Sequence, residues 1–284
     1  MSAAVLSGRE LAATIRTGVA EQAAALAAAG TVPRLVVVSA TADEASAWYV
    51  RSIAKAAGKV GISCDLVDLG PDAGTGQITD TLERFGADSR VHGVMLQTPL
   101  PDGARLEELA AAIPVGKDVD GANPLSLGRL AAGLSAFAPA TAAAVLAVLE
   151  HHRIELRGRR AVVVGRSTVV GKPVALLLLG QDATVTVCHS RTNDLATVTG
   201  SADVLVVAVG RSGMISAEHV AEGAVVVDVG TNPTADGGLV GDVDADSVTG
   251  RAGGLTPVPG GVGPVTTALL LRHTVLASAV NRHG

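Results

Sequence analysis

Short apolar runs that stop at a glycine or a proline alternate with longer helical stretches along nearly the whole chain. In the first half, Leu35 to Ser39, Asp65 to Leu69 and Val91 to Leu96 read as strands, with helices over 44–60 and near 77–85 between them. In the second half an Ala-rich helix at 140–152 precedes strands over 161–165, 184–187, 204–210 and 224–230. A helix starts at about Val169, and a closing helix runs over 266–279 after a Gly/Pro-rich loop at 255–264. Strands separated by helices are joined by crossovers, and crossovers produce parallel sheets covered on both faces. The expected class is α/β: two α/β domains joined by long helices, the C-terminal one a Rossmann-like nucleotide-binding domain. The first domain takes residues 1–139 and, through return of the last helix, 266–284. The second takes 140–265.

The 284 residues are 48% hydrophobic and 17% charged, enough to fill two cores and too apolar for a disordered chain. No apolar run approaches the ~18 residues of a membrane span, so no membrane partner is expected. A net charge of −5 supplies no basic footprint, and one Trp, one Tyr and two Phe leave no stacking platform. Nucleic acid is therefore not an expected partner either. Cys64 and Cys188 are too far apart for a metal knuckle, and His151, His152 and His189 lack zinc spacing; no metal is expected. The first sixteen residues lack the apolar core of a signal peptide, which with the free cysteines suggests a reduced, cytoplasmic chain.

The strand ending at Val164 runs into Gly165-Arg166-Ser167-Thr168-Val169-Val170-Gly171-Lys172-Pro173. A strand, a tight glycine turn and a helix start aim backbone N–H groups and a positive helix end at a phosphate. The match to G-x-G-x-x-G is imperfect, because Ser167 replaces the second glycine and the third comes one residue late. An ordinary βα turn is the plain alternative. The next strand ends in Cys188-His189-Ser190-Arg191-Thr192, with no carboxylate before Asp194. NAD sites place an acid there for the ribose hydroxyl, whereas hydroxyl and guanidinium groups suit a 2′-phosphate. Gly165, Arg166, Ser167, Ser190 and Arg191 are the candidate cofactor residues, and NADP is the expected cofactor.

Further segments carry a resemblance. Ser46-Ala47-Trp48-Tyr49-Val50, Gln97-Thr98-Pro99-Leu100-Pro101, Lys117-Asp118-Val119-Asp120-Gly121, Asp228-Val229-Gly230 and Thr256-Pro257-Val258-Pro259-Gly260-Gly261-Val262-Gly263-Pro264 stand in order with the Gly165 turn. Together they resemble the bifunctional methylenetetrahydrofolate dehydrogenase/cyclohydrolase family. The resemblance implies a homodimer that binds a folate between two domains and oxidises its one-carbon unit with NADP. It implies that Tyr49, Gln97 and Asp120 are catalytic: Tyr49 stacks on the folate, Gln97 lies near the one-carbon centre, and Asp120 bonds the pterin. Ile53, Leu96, Thr98 and the loop Pro259, Gly260, Gly261, Val262, Gly263 complete the implied substrate contacts, and Thr231 touches the cofactor. The chemistry agrees: a carboxylate can accept from an amino-pyrimidinone edge, and a glycine loop admits a flat ligand. Without the resemblance, Asp118 and Asp120 read as a solvated helix cap, and Tyr49 as a half-buried helix residue.

The pattern breaks four residues after the tyrosine, where the family carries a lysine on the same helix face and this chain has Ile53. Lys55 is no substitute, because two residues rotate it roughly 200° around the helix. Hydride transfer survives such a loss and hydrolysis of the methenyl product does not, so weak cyclohydrolase activity is expected. Ala122 and Asn123 after the Lys117–Gly121 segment, and Ala140 and Ala142 after Pro139, depart as well. These departures leave two other readings open: a specialised paralogue oxidising a different small molecule, and a non-catalytic folate- or nucleotide-binding protein.

Overall fold

The computed structural model describes residues 2–234 and 236–280. The chain opens with β1 (Ala4–Val5) and α1 (Arg9–Ala28), then alternates through β2 (Arg34–Ser39), α2 (Glu44–Lys59), β3 (Ser63–Asp68), α3 (Thr75–Ala87) and β4 (Gly93–Leu96). Short helices α4 (Leu106–Ala110) and α5 (Pro124–Ala131) lead to α6 (Ala140–His151). A second alternation follows: β5 (Arg160–Val164), α7 (Gly171–Leu179), β6 (Thr184–Cys188), α8 (Leu195–Thr199), β7 (Val204–Val207) and β8 (Val225–Asp228). The hairpin β9 (Asn232–Pro233) and β10 (Leu239–Val240), then α9 (Ala245–Val248), β11 (Gly254–Leu255) and α10 (Val262–Val280), complete the order.

Two compact units result, each α/β. The first holds residues 13–140 and the described chain from 267 on; the second holds residues 2–12 and 141–266. The first unit carries a parallel sheet in the order β3-β2-β4. Central β2 is buried on both faces, which is why Leu35 to Val38 is continuously apolar. Helix α10 is apolar on nearly every side, and its Leu270, Leu271 and Val275 enter the same core as Val37 of β2 and Val50 of α2. The second unit carries a parallel sheet in the order β1-β11-β8-β7-β5-β6. In both sheets the chain places its next two strands on opposite sides of the first, β2 or β5. Each sheet therefore has a switch point at the C-terminal end of that strand, the place where α/β sheets bind ligands.

The domain boundary differs from expectation at the N-terminus. Ala4 and Val5 pair in parallel with Gly254 and Leu255, so the first twelve residues belong with the nucleotide-type sheet. A two-residue strand has no periodicity to read; only its backbone partners define it. The strands expected over 204–210 and 224–230 end early, at Val207 and Asp228: Ala208 and Val229 still donate to the neighbouring strand, but Val209, Gly210 and Gly230 donate to carboxylates instead.

Candidate active site and nucleotide site

In the first unit, α2 starts where the Asp43 carboxylate accepts the Ser46 N–H at 2.7 Å. The Ser46 hydroxyl then donates to the Thr98 carbonyl at 3.0 Å, tying the first turn of α2 to the loop after β4. That loop begins at Gln97, whose N–H continues the ladder to Val38 and whose amide donates to the Thr98 carbonyl. Strand alternation sends Met95 toward the core that contains Ile53 and borders Tyr49, while Leu96 points to the opposite core with Val38, Ile78 and Leu82. Gln97 thus shares a side with Met95. In the segment 117–121, at the edge of β4, Asp118 bridges in parallel to Val94, and the chain then turns, with the Gly121 N–H donating back to the Asp118 carbonyl.

Each polar residue of that segment has its own task. Lys117 donates to the Gly86 and Asp88 carbonyls at the end of α3. Asp118 is fully buried and accepts from the Ala122 and Asn123 N–H groups and from the Ser126 hydroxyl. Gly121 has a φ of 68°, and a Cβ there would meet the Pro139 nitrogen at 2.4 Å. Asp120 is near enough to Tyr49 for its charge to act on the phenol. Burial, and then the neighbouring Asp118 charge, push the Asp120 carboxyl up to about 7. Burial and the Asp120 charge push the Tyr49 phenol up to about 12, an effect the Thr267 hydroxyl on α10 partly offsets.

Ile53 is 0% exposed and packs in the core among Val19, Leu35, Val50 and Leu270. Helix α2 runs unbroken from Glu44 to Lys59, and Lys55 and Arg51 lie on its exposed side.

In the second unit, the turn after β5 sits at the switch point between β5 and β7. Gly165 has a φ of 126°, and a Cβ on it would lie 2.2 Å from the Ala208 carbonyl oxygen. A Cβ on Gly171 would lie 2.2 Å from the Gly165 carbonyl oxygen. The glycine that comes late in the motif is therefore required by packing of turn against helix. Ser167 changes what the turn offers: its hydroxyl accepts the Val170 and Gly171 N–H groups, so the serine itself caps α7. An anionic ligand here would meet the Arg166 guanidinium and the positive helix end more than a row of free backbone donors. At the end of β6, Ser190 and Arg191 are exposed, and no salt bridge involves Arg166 or Arg191 among the described residues. Asp194 is committed to capping α8, where its side chain accepts from Thr197. Exposed guanidiniums with no competing acid fit a ribose bearing a 2′-phosphate.

The family model for the tetrahydrofolate dehydrogenase/cyclohydrolase catalytic domain matches residues 6–120, and that for the family's NAD(P)-binding domain matches residues 139–282. The chain belongs to this family. Bifunctional protein FolD 1 of Saccharopolyspora erythraea is 67% identical over 274 residues, covering 96% of this chain and 94% of its own length. The solved FolD methylenetetrahydrofolate dehydrogenase/cyclohydrolase of Campylobacter jejuni is 38% identical with a TM-score of 0.94, covering 98% of this chain and 99% of that one. The Trypanosoma brucei FolD structure, complexed with NADP cofactor and inhibitor, is 35% identical with a TM-score of 0.95, covering all of both chains.

Within this tetrahydrofolate dehydrogenase/cyclohydrolase chain, several sequence assignments change. Leu96 and Ile53 are core residues, 3% and 0% exposed. In the loop 259–263, Gly260, Gly261 and Val262 are buried while Pro259 and Gly263 are exposed. What approaches the two buried glycines is the chain's own N-terminal segment. Gly8 donates to the Gly260 carbonyl, a Cβ on Gly8 would lie 2.1 Å from the Gly261 oxygen, and Arg9 lies against Gly260. Asn123, one of the family departures, is the N-cap of α5 and bonds the Ile113 carbonyl, so its change serves the turn. Thr98 and Thr231 are exposed. The Asp228-Val229-Gly230 segment is a lock: Asp228 accepts from the Gly230, Asp242 and Val243 N–H groups, and Asp242 accepts from Val209, Gly210 and Arg211. Sequence reasoning missed Asp242, Thr267 and His273. His273 did leave a signal, as a lone imidazole in a largely apolar helix.

Proposed function

We propose that this chain oxidises 5,10-methylenetetrahydrofolate to the methenyl form with NADP, and that its cyclohydrolase step is weak or lost. The reading includes a homodimer working in the cytoplasm. NADP, when bound, accepts the hydride; Gly165, Arg166, Ser167, Ser190, Arg191 and Thr231 would hold it. Asp120 orients the amino-pyrimidinone edge, Tyr49 stacks on the ring system, and Gln97 lies near the one-carbon unit. The substrate nitrogen pushes the hydride out and leaves a stabilised cation, so this step asks the protein for positioning rather than for a proton donor. Hydrolysis needs water to attack that cation and a proton to reach a ring nitrogen, general acid–base work typically worth ~10²–10⁴-fold.

The observation that carries the reading is Ile53. One helical turn beyond Tyr49, where an amine would serve hydrolysis, stands a side chain with no polar atom, packed in the core. Lys55 cannot replace it, since it lies on the exposed side of the same unbroken helix. The neighbours that set the Tyr49 phenol are a carboxylate and a hydroxyl, with no cation among them. The relatives' names carry both activities, so the test is a paired assay of purified protein. NADPH formation from methylenetetrahydrofolate should be brisk, and loss of methenyltetrahydrofolate should stay near its rate in buffer. Enzymatic hydrolysis matching the dehydrogenase rate would overturn the second half of the reading.

A further inference from the structure

We propose that His273 is a positioning residue for the reaction, holding the backbone from which Asp120 projects. The proposal rests on reading Asp120 as the carboxylate that orients the folate ring.

His273 lies on α10, distant in sequence from the 117–121 segment, and its Nδ1 stands 2.8 Å from the Val119 carbonyl oxygen. A carbonyl only accepts, so Nδ1 must carry the proton and donate it. The imidazole is 6% exposed and stacks on Phe137 at 4.8 Å between ring centroids. Burial, with the adjacent Arg272 charge, pushes it down to about 4, which keeps the ring neutral and its tautomer single through the neutral range.

The Val119 carbonyl belongs to the peptide whose nitrogen is that of Asp120, so this bond sets the plane from which the Asp120 side chain departs. The other constraints leave that peptide untouched: Lys117 and the Asp118–Val94 bridge anchor the start of the segment. The Asp120 carbonyl accepts from Ala140 at 3.3 Å, and Asp118 gathers the N–H groups that follow. Among the described residues, His273 is the one remote side chain that bonds the peptide joining Val119 to Asp120. Its helix neighbours Leu269, Leu270, Leu271 and Val275 are buried and apolar, and a leucine at 273 would pack without desolvating a ring nitrogen. What the imidazole adds is a direction.

Three variants test this. His273→Asn can set an amide N–H near the place of Nδ1, His273→Gln sets one near Nε2, and His273→Leu has no donor. The readouts are KM for methylenetetrahydrofolate, KM for NADP, kcat and the melting temperature. The Leu and Gln variants should raise the folate KM about tenfold, the scale of one misdirected hydrogen bond, with the NADP KM unchanged. The Asn variant should restore most of the loss. Because Asn and Gln are equally polar, a general weakening of the core would affect both. An unchanged folate KM in the Leu variant, or Asn and Gln variants impaired alike, would overturn the proposal while leaving the folate reading intact. Failure of the wild-type protein to turn over methylenetetrahydrofolate would sink both.

Discussion

Replacing Asp120 with asparagine should make the protein more stable at neutral and alkaline pH while disabling it. The carboxyl stands at about 7 in the fold against 3.8 unperturbed, because burial and Asp118 both oppose its charge. A group whose folded-state pKa is raised binds protons more tightly in the native state. Its stabilising effect is complete below pH 3.8 and disappears as pH rises through about 7. Above that the native state carries a penalty, at 1.36 kcal/mol per unit, of about 4 kcal/mol if the carboxylate stays dry and about half that if water reaches it. Asparagine has nearly the same shape and never ionises. The difference in unfolding free energy between Asp120→Asn and wild type, from urea titrations, should be near zero at pH 4. It should climb from just above pH 4 to pH 7 and level off at about 2–4 kcal/mol by pH 8. Parallel stability curves across that range would refute the placement of an ionisable carboxyl in a dry, anionic setting. A variant less stable at pH 8 would do so more strongly. In the same experiment the folate KM of the wild type should rise as pH falls below about 7, since the ionised carboxylate is the acceptor a pterin edge needs; Asp120→Asn should lose that dependence.

Other outcomes follow from single contacts. Ile53→Lys should cost about 2–4 kcal/mol of stability, because it exchanges a fully buried apolar side chain for an ammonium, yet raise methenyltetrahydrofolate hydrolysis by ~10²-fold or more. A folded variant with unchanged hydrolysis would show that more than one group is missing. Gly165→Ala should cost about 3 kcal/mol and abolish NADP binding by calorimetry, given the 2.2 Å approach of the Ala208 oxygen and a φ of 126°. Gly18→Ala, in the interior of α1 with nothing within 4 Å, should instead stabilise by about 0.5–1 kcal/mol. Arg191→Ala should raise the KM for NADP roughly 10- to 100-fold and leave that for NAD nearly unchanged, narrowing the preference between the two.

The two-unit α/β architecture was legible because it depends on local patterns. Runs such as Leu35 to Val38 and Val204 to Val207 are continuously apolar only where both faces of a strand are covered, and the intervening stretches have helical length. The divergence of Ile53 and Lys55 around the helix was also legible, since both lie on one continuous helix and its geometry fixes the angle between them, whereas the burial of Ile53 was not. Motif order identified the family, and the absence of an acid after β6 pointed to the cofactor, because each of these is a property of residue type and spacing.

Tertiary structure decided which side chains face a site and which serve the chain itself. Leu96 and Gln97 are neighbours in sequence, yet alternation sends one into a core and leaves the other beside Met95. Gly8 is a glycine for the sake of the Gly261 carbonyl, some 250 residues later, and Gly260 lies under the Arg9 guanidinium. Asp118 and Asp120 look alike in the sequence; one is spent on three hydrogen bonds and the other acts through its charge on the Tyr49 phenol. His273 meets Val119, and Ala4 meets Gly254, only after the chain has closed. Pattern and spacing are local and survive in one dimension. A side chain's role depends on its nearest neighbours in space, and those are supplied by contacts between distant parts of the chain.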